Sequence, residues 1–192
     1  LMLKGQRCLT DKCPIKGKKK YPPGPPRKRR AKLSDYAVQL REKQRIRRSY
    51  GLLEKQFRLL FFDAMRMKGV TGDNMMSLLE RRLDNVIFRM GFSSSRSQAR
   101  QLVKHKHVTV NGRTVDIPSY RVGEGAVIAI REKFVSNVML EDSIKLAKAI
   151  DSIPGWIEVD FEKRSGKIVR LPVREDLTSN FNDQLVVELY SK

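Results

Sequence analysis

Acidic residues are scarce in this chain: 21 Asp and Glu stand against 40 Lys and Arg among 192 residues, which leaves a net charge of +19. An imbalance of that size implies a polyanionic partner, nucleic acid before an anionic membrane surface. Cysteine is scarcer still. Cys8 and Cys13 are the only two, too few for a disulfide framework and in keeping with a reducing cytosol. No apolar run approaches the ~18 residues of a membrane span, so a soluble protein without a membrane partner is expected. No basic stretch leads into an apolar h-region with a small-residue cleavage site, which argues against secretion. The first residue is Leu1, so either Met2 starts the chain or a short piece precedes it.

Catalytic signatures are also missing. The sequence contains no G-x-x-x-x-G-K-[ST], G-x-G-x-x-G, G-x-S-x-G or H-E-x-x-H, and thus none of the phosphate cradles, nucleophile elbows or zinc helices those spacings build. The two histidines, His105 and His107, have no carboxylate partners nearby in sequence. Contact with phosphate or a base suits them better than catalysis. Glu141 and Asp142 fall at the start of a helix, where the dipole favours negative charge. An enzyme with a small-molecule substrate is therefore not expected.

Hydrophobic residues make up 40% of the chain, enough to bury a core as one domain or two small ones. The segment "KGKKKYPPGPPRKRRAK" sets four prolines around Gly24 between basic clusters. Proline fixes φ and removes a donor, so an extended arm that orders on RNA is predicted. Ser34 then caps a helix that runs to Gly51. Arg41, Arg45 and Arg48 share one face of it, with Lys43 and Arg47 beside them. Tyr36 and Tyr50 flank this helix and can stack on bases, although each is more simply core. The next helix buries Leu53, Phe57, Leu60, Phe61 and Ala64. A single long helix follows from a cap at Asp73 or Asn74 to Gly91, with Met76, Leu79, Leu83, Val86 and Met90 facing inward.

Ser95 and Gln98 form an S-x-x-Q capping box, so a helix starts at Arg96. Ala99, Leu102 and Val103 face the core, while Arg96, Arg100 and Lys104 recur four apart as a basic ridge. "HVTVNGRTVDI" alternates about Asn-Gly, a strong hairpin signal. "AVIAI" reads as a further strand, "NVMLEDSIKLAKAI" as a helix, "GWIEVDFEKRSGKIVRLP" as a hairpin with Trp156 in the core, and "DQLVVELYSK" as a closing strand. Tetrahedral zinc needs four ligands. Cys8 and Cys13 are therefore either free thiols or half of a four-cysteine site.

The stretch "LLERRLDNVIFRMGFSSSRSQARQLVKHKHVTVNGRTVDIPSYRVGEG" resembles the family of the bacterial small-ribosomal-subunit protein numbered S-four. The motifs are R-L-D at Arg82 to Asp84, S-R-x-x-A-R-x-L at Ser95 to Leu102, and V-x-V-N-G at Val108 to Gly112. "YPPG", "SDYAVQLREKQRIRRSYG", "EKQF", "KGVTG", "REDL" and "QLVVELYSK" extend the likeness along nearly the whole chain. The pattern departs at Lys106, where the family often has glycine, at Ala126, where an acidic residue often follows Gly125, and at Pro25-Pro26-Arg27 in place of Q-H-G.

The resemblance implies an α+β protein with a discontinuous helical domain and an inserted α/β RNA-binding domain. Residues 1–31 would be a basic extension, 32–80 with about 172–192 the helical domain, and 81–171 the insert. It implies a cytoplasmic ribosomal protein that joins the small subunit early and binds a multi-helix junction in the 5′ domain of its rRNA. Partners would be the protein numbered S-five and mRNA where it enters the subunit, the latter at Arg29, Arg30 and Lys32. The residues expected on rRNA are Arg41, Lys43, Arg45, Arg47, Arg48, Tyr50, Arg82, Ser95, Arg96, Gln98, Arg100, Gln101, Lys104, His105, His107, Asn111 and Arg113. Some family members regulate translation of their own message. No cofactor is required, but members with C-x-x-x-x-C here often carry C-x-x-C upstream, and together these bind zinc.

Overall fold

A computed structural model describes residues 1, 3–8, 10–13, 15, 16, 24, 32–150, 153–177 and 180–191. Of the expected extended stretch over 16–32, all but Lys16, Gly24 and Lys32 lies outside the described residues, Arg29 and Arg30 included. The part before it is not a free extension. Gly5–Cys8 forms a 3-10 turn, and a Cβ on Gly5 would collide with the Ser94 carbonyl.

Helix α1 spans Asp35–Ser49, and Ser34 Oγ accepts the Ala37 N–H at 3.3 Å. It stops at Gly51, whose φ of +66° closes a Schellman turn: Gly51 N–H donates to Arg48 and Leu52 N–H to Arg47. Helix α2, Glu54–Arg66, buries Phe57, Leu60, Phe61 and Ala64. Leu53 does not join that stripe. It precedes the first helical turn and is 70% exposed.

The single helix expected up to Gly91 is two, α3 over Thr71–Glu80 and α4 over Leu83–Arg89. Between them Arg82 is extended (φ −66°, ψ 135°) and bridges to Arg121. Val122 N–H donates to the Arg81 carbonyl and Leu83 N–H to that of Tyr120. Apolar spacing runs through the break because both helices bury the same kind of stripe. The start also differs. α3 begins at Thr71, and Asn74 Nδ2 donates to the Lys68 carbonyl at 3.2 Å instead of capping its own helix.

Helix α5, Arg96–Lys104, begins at the predicted cap. Strands β1 (Val108–Val110) and β2 (Arg113–Thr114) turn at Asn111 and Gly112, whose φ values of +49° and +77° match a type I′ turn. Then come β3 (Val127–Ile130), α6 (Glu132–Val135), α7 (Val138–Ile150), β4 (Ile157–Asp160) and β5 (Ser165–Ile168). The strands form one antiparallel sheet in the order β2-β1-β3-β5-β4, so the fold is α+β.

The closing strand is instead a helix, α8, over Asp183–Tyr190. Asp183, Val186, Val187 and Tyr190 recur at helical spacing as well as Leu185, Val187 and Leu189 do at strand spacing. α8 packs on α1 and α3, with the Tyr190 ring 4.6 Å from that of Phe61. Packing overrides the β propensity of a short valine-rich run.

Two hydrophobic cores result. One gathers Ile46, Phe57, Phe61, Met75 and Leu79 with Phe181 and Val186 from the far end of the chain. The other holds Leu83, Val86, Phe92, Leu102, Ile128 and Trp156. The sequence between the two sets crosses at Arg81–Arg82. Tyr50 lies in the first core, and Phe88 packs against the second.

Helix α5 ends in the same Schellman turn as α1, with Lys106 N–H donating to Val103 and His107 N–H to Leu102. The left-handed position is held by Lys106, at φ +62°, where an L side chain is strained. Its exposed ion pair with Asp116 contributes little. Lys106→Gly should therefore raise the unfolding free energy by about 0.5–1 kcal/mol, read from denaturant titration. An unchanged or lower value would contradict the strain.

Candidate nucleic-acid interface

On α1, Arg41, Arg45 and Arg48 are exposed and line a shallow groove of about 470 Å³ with Leu1, Leu40 and Gln44. Arg45 donates to Glu42 at 3.2 Å, and its guanidinium lies over the Phe181 ring at 5.2 Å. The Arg41 and Arg48 side chains have no ion pair or hydrogen bond among the described residues.

Lys43 does not belong to that face. Two positions beyond Arg41 the helix has turned through some 200°, so Lys43 points inward. It is buried, ion-paired with Glu54 and 5.6 Å from the centre of the Tyr190 ring. Burial opposes ionisation of Glu54, but hydrogen bonds from Lys43 and Tyr190 hold its pKa below the ordinary value. Arg47 is half-buried, donating to Gln44 at 2.6 Å and lying 3.5 Å from Glu54. Tyr50 is no stacking platform either: it is 3% exposed, and its hydroxyl donates to Glu80 at 2.6 Å. Burial and then the Glu80 charge push its pKa well above the ordinary value. Tyr36 is the exposed tyrosine of this helix, at 58%.

The second face is carried by α5 and the β1–β2 hairpin, where Gln101, Lys104, His105 and Arg113 are exposed. Lys106 and Arg131 extend this basic face, linked by a bond from Arg131 Nη1 to the Lys106 carbonyl at 3.2 Å. They were missed because each belongs to a turn or an element end, not to a periodic stripe. Asn111 is exposed, but its Oδ1 accepts the Val127 N–H at 2.9 Å and braces the hairpin. Ser95 Oγ accepts the Gln98 N–H at 3.3 Å, while Gln98 Oε1 accepts the N–H of Ser94 at 2.7 Å, one residue short of a reciprocal box. His107 is half-buried and stacked on Phe134 at 4.3 Å. Burial, then the charges of His105 and Arg131, lower its pKa.

The predicted ridge of Arg96, Arg100 and Lys104 is broken, because only Lys104 is fully exposed. Arg96 lies between two rings, with Tyr50 and Phe88 each 4.7 Å from its guanidinium carbon, and its Nε donates to Asn85 Oδ1 at 2.8 Å. Arg100 is half-buried, 3.6 Å from Asp84. Arg82 is buried in a two-point bond with Asp84, at 3.1 and 2.8 Å. It is thus withdrawn from the surface, because the chain crossing between the cores turns it inward. A cleft of about 260 Å³ opens beside this cluster, lined by Arg48, Asp84, Ser95, Arg96 and Arg100 among others. Lys32 is exposed.

Behind the cleft lies Glu80, 1% exposed. It accepts hydrogen bonds from Tyr50 at 2.6 Å, Asn85 at 2.7 Å and Arg89 at 2.9 and 2.7 Å. Burial disfavours its charge, yet the Arg89 guanidinium, the Tyr50 hydrogen bond and the Arg96 charge together hold its pKa below the ordinary value. The sequence carried one signal of this cluster, charged residues of both signs inside the apolar-spaced stretch 80–89.

No three His, Cys, Asp or Glu side chains converge on a metal-sized site among the described residues, and no helix there is long and apolar enough to cross a membrane. Two basic faces carried by one α+β body define a polyanion-binding protein of the nucleic-acid class. Residues 1–80 match the family described as "Ribosomal protein S4/S9 N-terminal domain", and residues 81–128 match the "S4 domain". The chain is 56% identical over its full length to the small ribosomal subunit protein uS4 of Pelobacter propionicus, covering 91% of that protein. It is likewise 53% identical to uS4 of Geotalea daltonii and 54% to uS4A of Nitrosomonas europaea, over 91% of each. The chain belongs to the uS4 family of small ribosomal subunit proteins.

Removing the Glu80 carboxylate would leave Arg89 charged and buried without its main partner. Glu80→Ala should cost about 3–5 kcal/mol of unfolding free energy at neutral pH, by denaturant titration. A depressed folded pKa contributes stability that is present above the unfolded value and lost as pH falls through the folded one. The gap between wild type and Glu80→Ala should therefore narrow below about pH 4. A gap that stays constant from neutral to acid pH would show that Glu80 does not hold the site as an anion.

Proposed function

We propose that the protein is a structural, rRNA-binding constituent of the small ribosomal subunit that clamps a multi-helix junction in the 5′ domain of small-subunit rRNA early in assembly. As a member of the uS4 family it is a ribosomal protein and not an enzyme. The observation that carries the reading is the exposed basic face of α1, where Arg41 and Arg48 have no side-chain partner among the described residues, on the same body as the face of Gln101, Lys104, His105 and Arg113. Arginines on two faces meet phosphates at separate places. Such contacts position rather than specify, so selectivity comes from the shape of the junction. Lys106 and Arg131 are added to this surface, while Lys43, Tyr50 and Arg82 are left out of it.

The family resemblance supports three further proposals: contact of Arg29, Arg30 and Lys32 with mRNA where it enters the subunit, with an effect on accuracy; a place beside the ribosomal protein numbered S-five; and feedback on translation of its own message. Zinc at Cys8 and Cys13 is a separate matter. Lys4 N–H donates to Cys8 Sγ at 3.3 Å, and the N–H groups of Ile15 and then Lys16 lower the Cys13 pKa. The Cys13 sulfur thus sits in a turn that favours a thiolate. Two sulfurs are still two ligands short of tetrahedral zinc, and no third donor joins them among the described residues. The described residues do not by themselves hold the metal, and nothing in the proposed function depends on it.

The test is affinity for the folded 5′ domain of small-subunit rRNA against duplex DNA, across a salt series. A preference of about 10³-fold or more that survives ~200 mM salt is expected. Equal affinities that collapse with salt would mark a non-specific coating protein instead. Arg41→Ala, Arg45→Ala and Arg48→Ala combined should weaken rRNA binding and reduce the slope of log K against log salt by about 2–3, one increment per lost phosphate contact.

A further inference from the structure

We infer that Arg96 is a positioning residue, which pins the two hydrophobic cores in one relative orientation so that both basic faces meet a single folded RNA together. The inference rests on the rRNA-binding reading above. One ring of its clamp, Tyr50, belongs to the helical core, and the other, Phe88, packs on the core around the sheet. Both ring centres stand 4.7 Å from the guanidinium carbon, and the bond to Asn85 sets the plane between them. A guanidinium is flat and weakly hydrated and stacks on two aromatic faces at once, which a compact, strongly hydrated ammonium does not.

The charge of Arg96 is not required to neutralise its surroundings. Glu80 is matched by Arg89, and Asp84 is matched by Arg82 with Arg100 nearby. Its contribution is therefore shape: a rigid slab wedged between rings from two cores. The Glu80 cluster also joins the two cores, but at a single point behind the cleft, and the tie of Arg121 with Asp63 is 45% and 40% exposed. Such a surface pair holds an orientation weakly. Arg48 on one lip of the cleft and Lys104 farther along α5 are exposed and stand one on each basic face, and the wedge sets the angle between their helices.

The discriminating variant is Arg96→Lys, which keeps the charge and loses the slab. A residue that meets phosphate as a point charge tolerates this exchange, and a two-point phosphate contact would be lost without any change in the distance between the cores. The full chain would be spin-labelled at Lys55→Cys on α2 and Lys145→Cys on α7, both exposed, with Cys8→Ser and Cys13→Ser in the background. The distribution of inter-label distances and the affinity for the folded 5′ domain would be measured for wild type, Arg96→Lys, Arg96→Ala and Phe88→Leu.

Both Arg96 variants are expected to broaden the distribution and to lower affinity alike, by about tenfold, the scale of a desolvated cation–π contact. Phe88→Leu, which alters no charge, should move both readouts in the same direction. Retained affinity in Arg96→Lys with loss in Arg96→Ala would overturn the inference in favour of a direct phosphate contact. An unbroadened distribution in Arg96→Lys and Phe88→Leu would overturn it as well, and these two carry the test if Arg96→Ala fails to fold. Failure of the rRNA reading is distinguishable, because wild type would then show no preference for the folded RNA whatever its inter-label distances.

Discussion

The Glu80 carboxylate is the point on which the two halves of this molecule depend. It stands at the end of α3, where the helical core stops, and receives donors from both sides: Tyr50 from the first core, Asn85 and Arg89 from α4 in the second. A buried anion is tolerated only when its acceptor sites are filled and a cation lies against it. Every lone-pair direction used here is filled by a group whose own position is set by packing. Polar partners must meet at fixed distances whereas apolar side chains slide, so the cluster fixes how α4 leaves α3. The Arg96 wedge lies one hydrogen bond further out, through Asn85, on the rim of the same cluster.

That geometry explains why the chain breaks where it does. Arg81 closes the last turn of α3 and Arg82 is extended, so the backbone leaves the helical ladder there and pairs with the loop at Tyr120 to Val122. The crossing between the cores is thereby held by main-chain bonds as well as side chains. Arg82, released from a helix face, folds back on Asp84. What reads as one long amphipathic helix with stray charges is two helices, and the charges gather where the chain passes from one core to the other.

The consequence for the surface is a sorting of the arginines. Those on the outer face of α1 are exposed, while those near the crossing between the cores are consumed by structure. A count of basic residues overstates the interface, since Lys43, Arg47, Arg82, Arg89 and Arg96 all neutralise or pack against something in the protein. The positive charge that remains outward is enough to draw a polyanion. The buried share decides how rigidly the outward share is presented.

Local chemistry was legible without the structure. The Ser34 and Ser95 caps, the Asn-Gly hairpin, the buried stripes of α2 and α5 and the exposed arginines at 41, 45 and 48 all depend on neighbours within a turn or two. The C-terminal helix was not legible, because "DQLVVELY" satisfies both periods and only α1 and α3 select between them. Lys43 meets its partner on the next helix, and Arg96 meets Tyr50 far back in the chain, pairings that no local spacing encodes. Sequence by itself determined the charge, the nucleic-acid class, the hairpin and most helix limits, since these follow from residue chemistry and short-range geometry. Only the tertiary structure decided which cations stay outside, because burial and pairing are set by residues brought together across the fold.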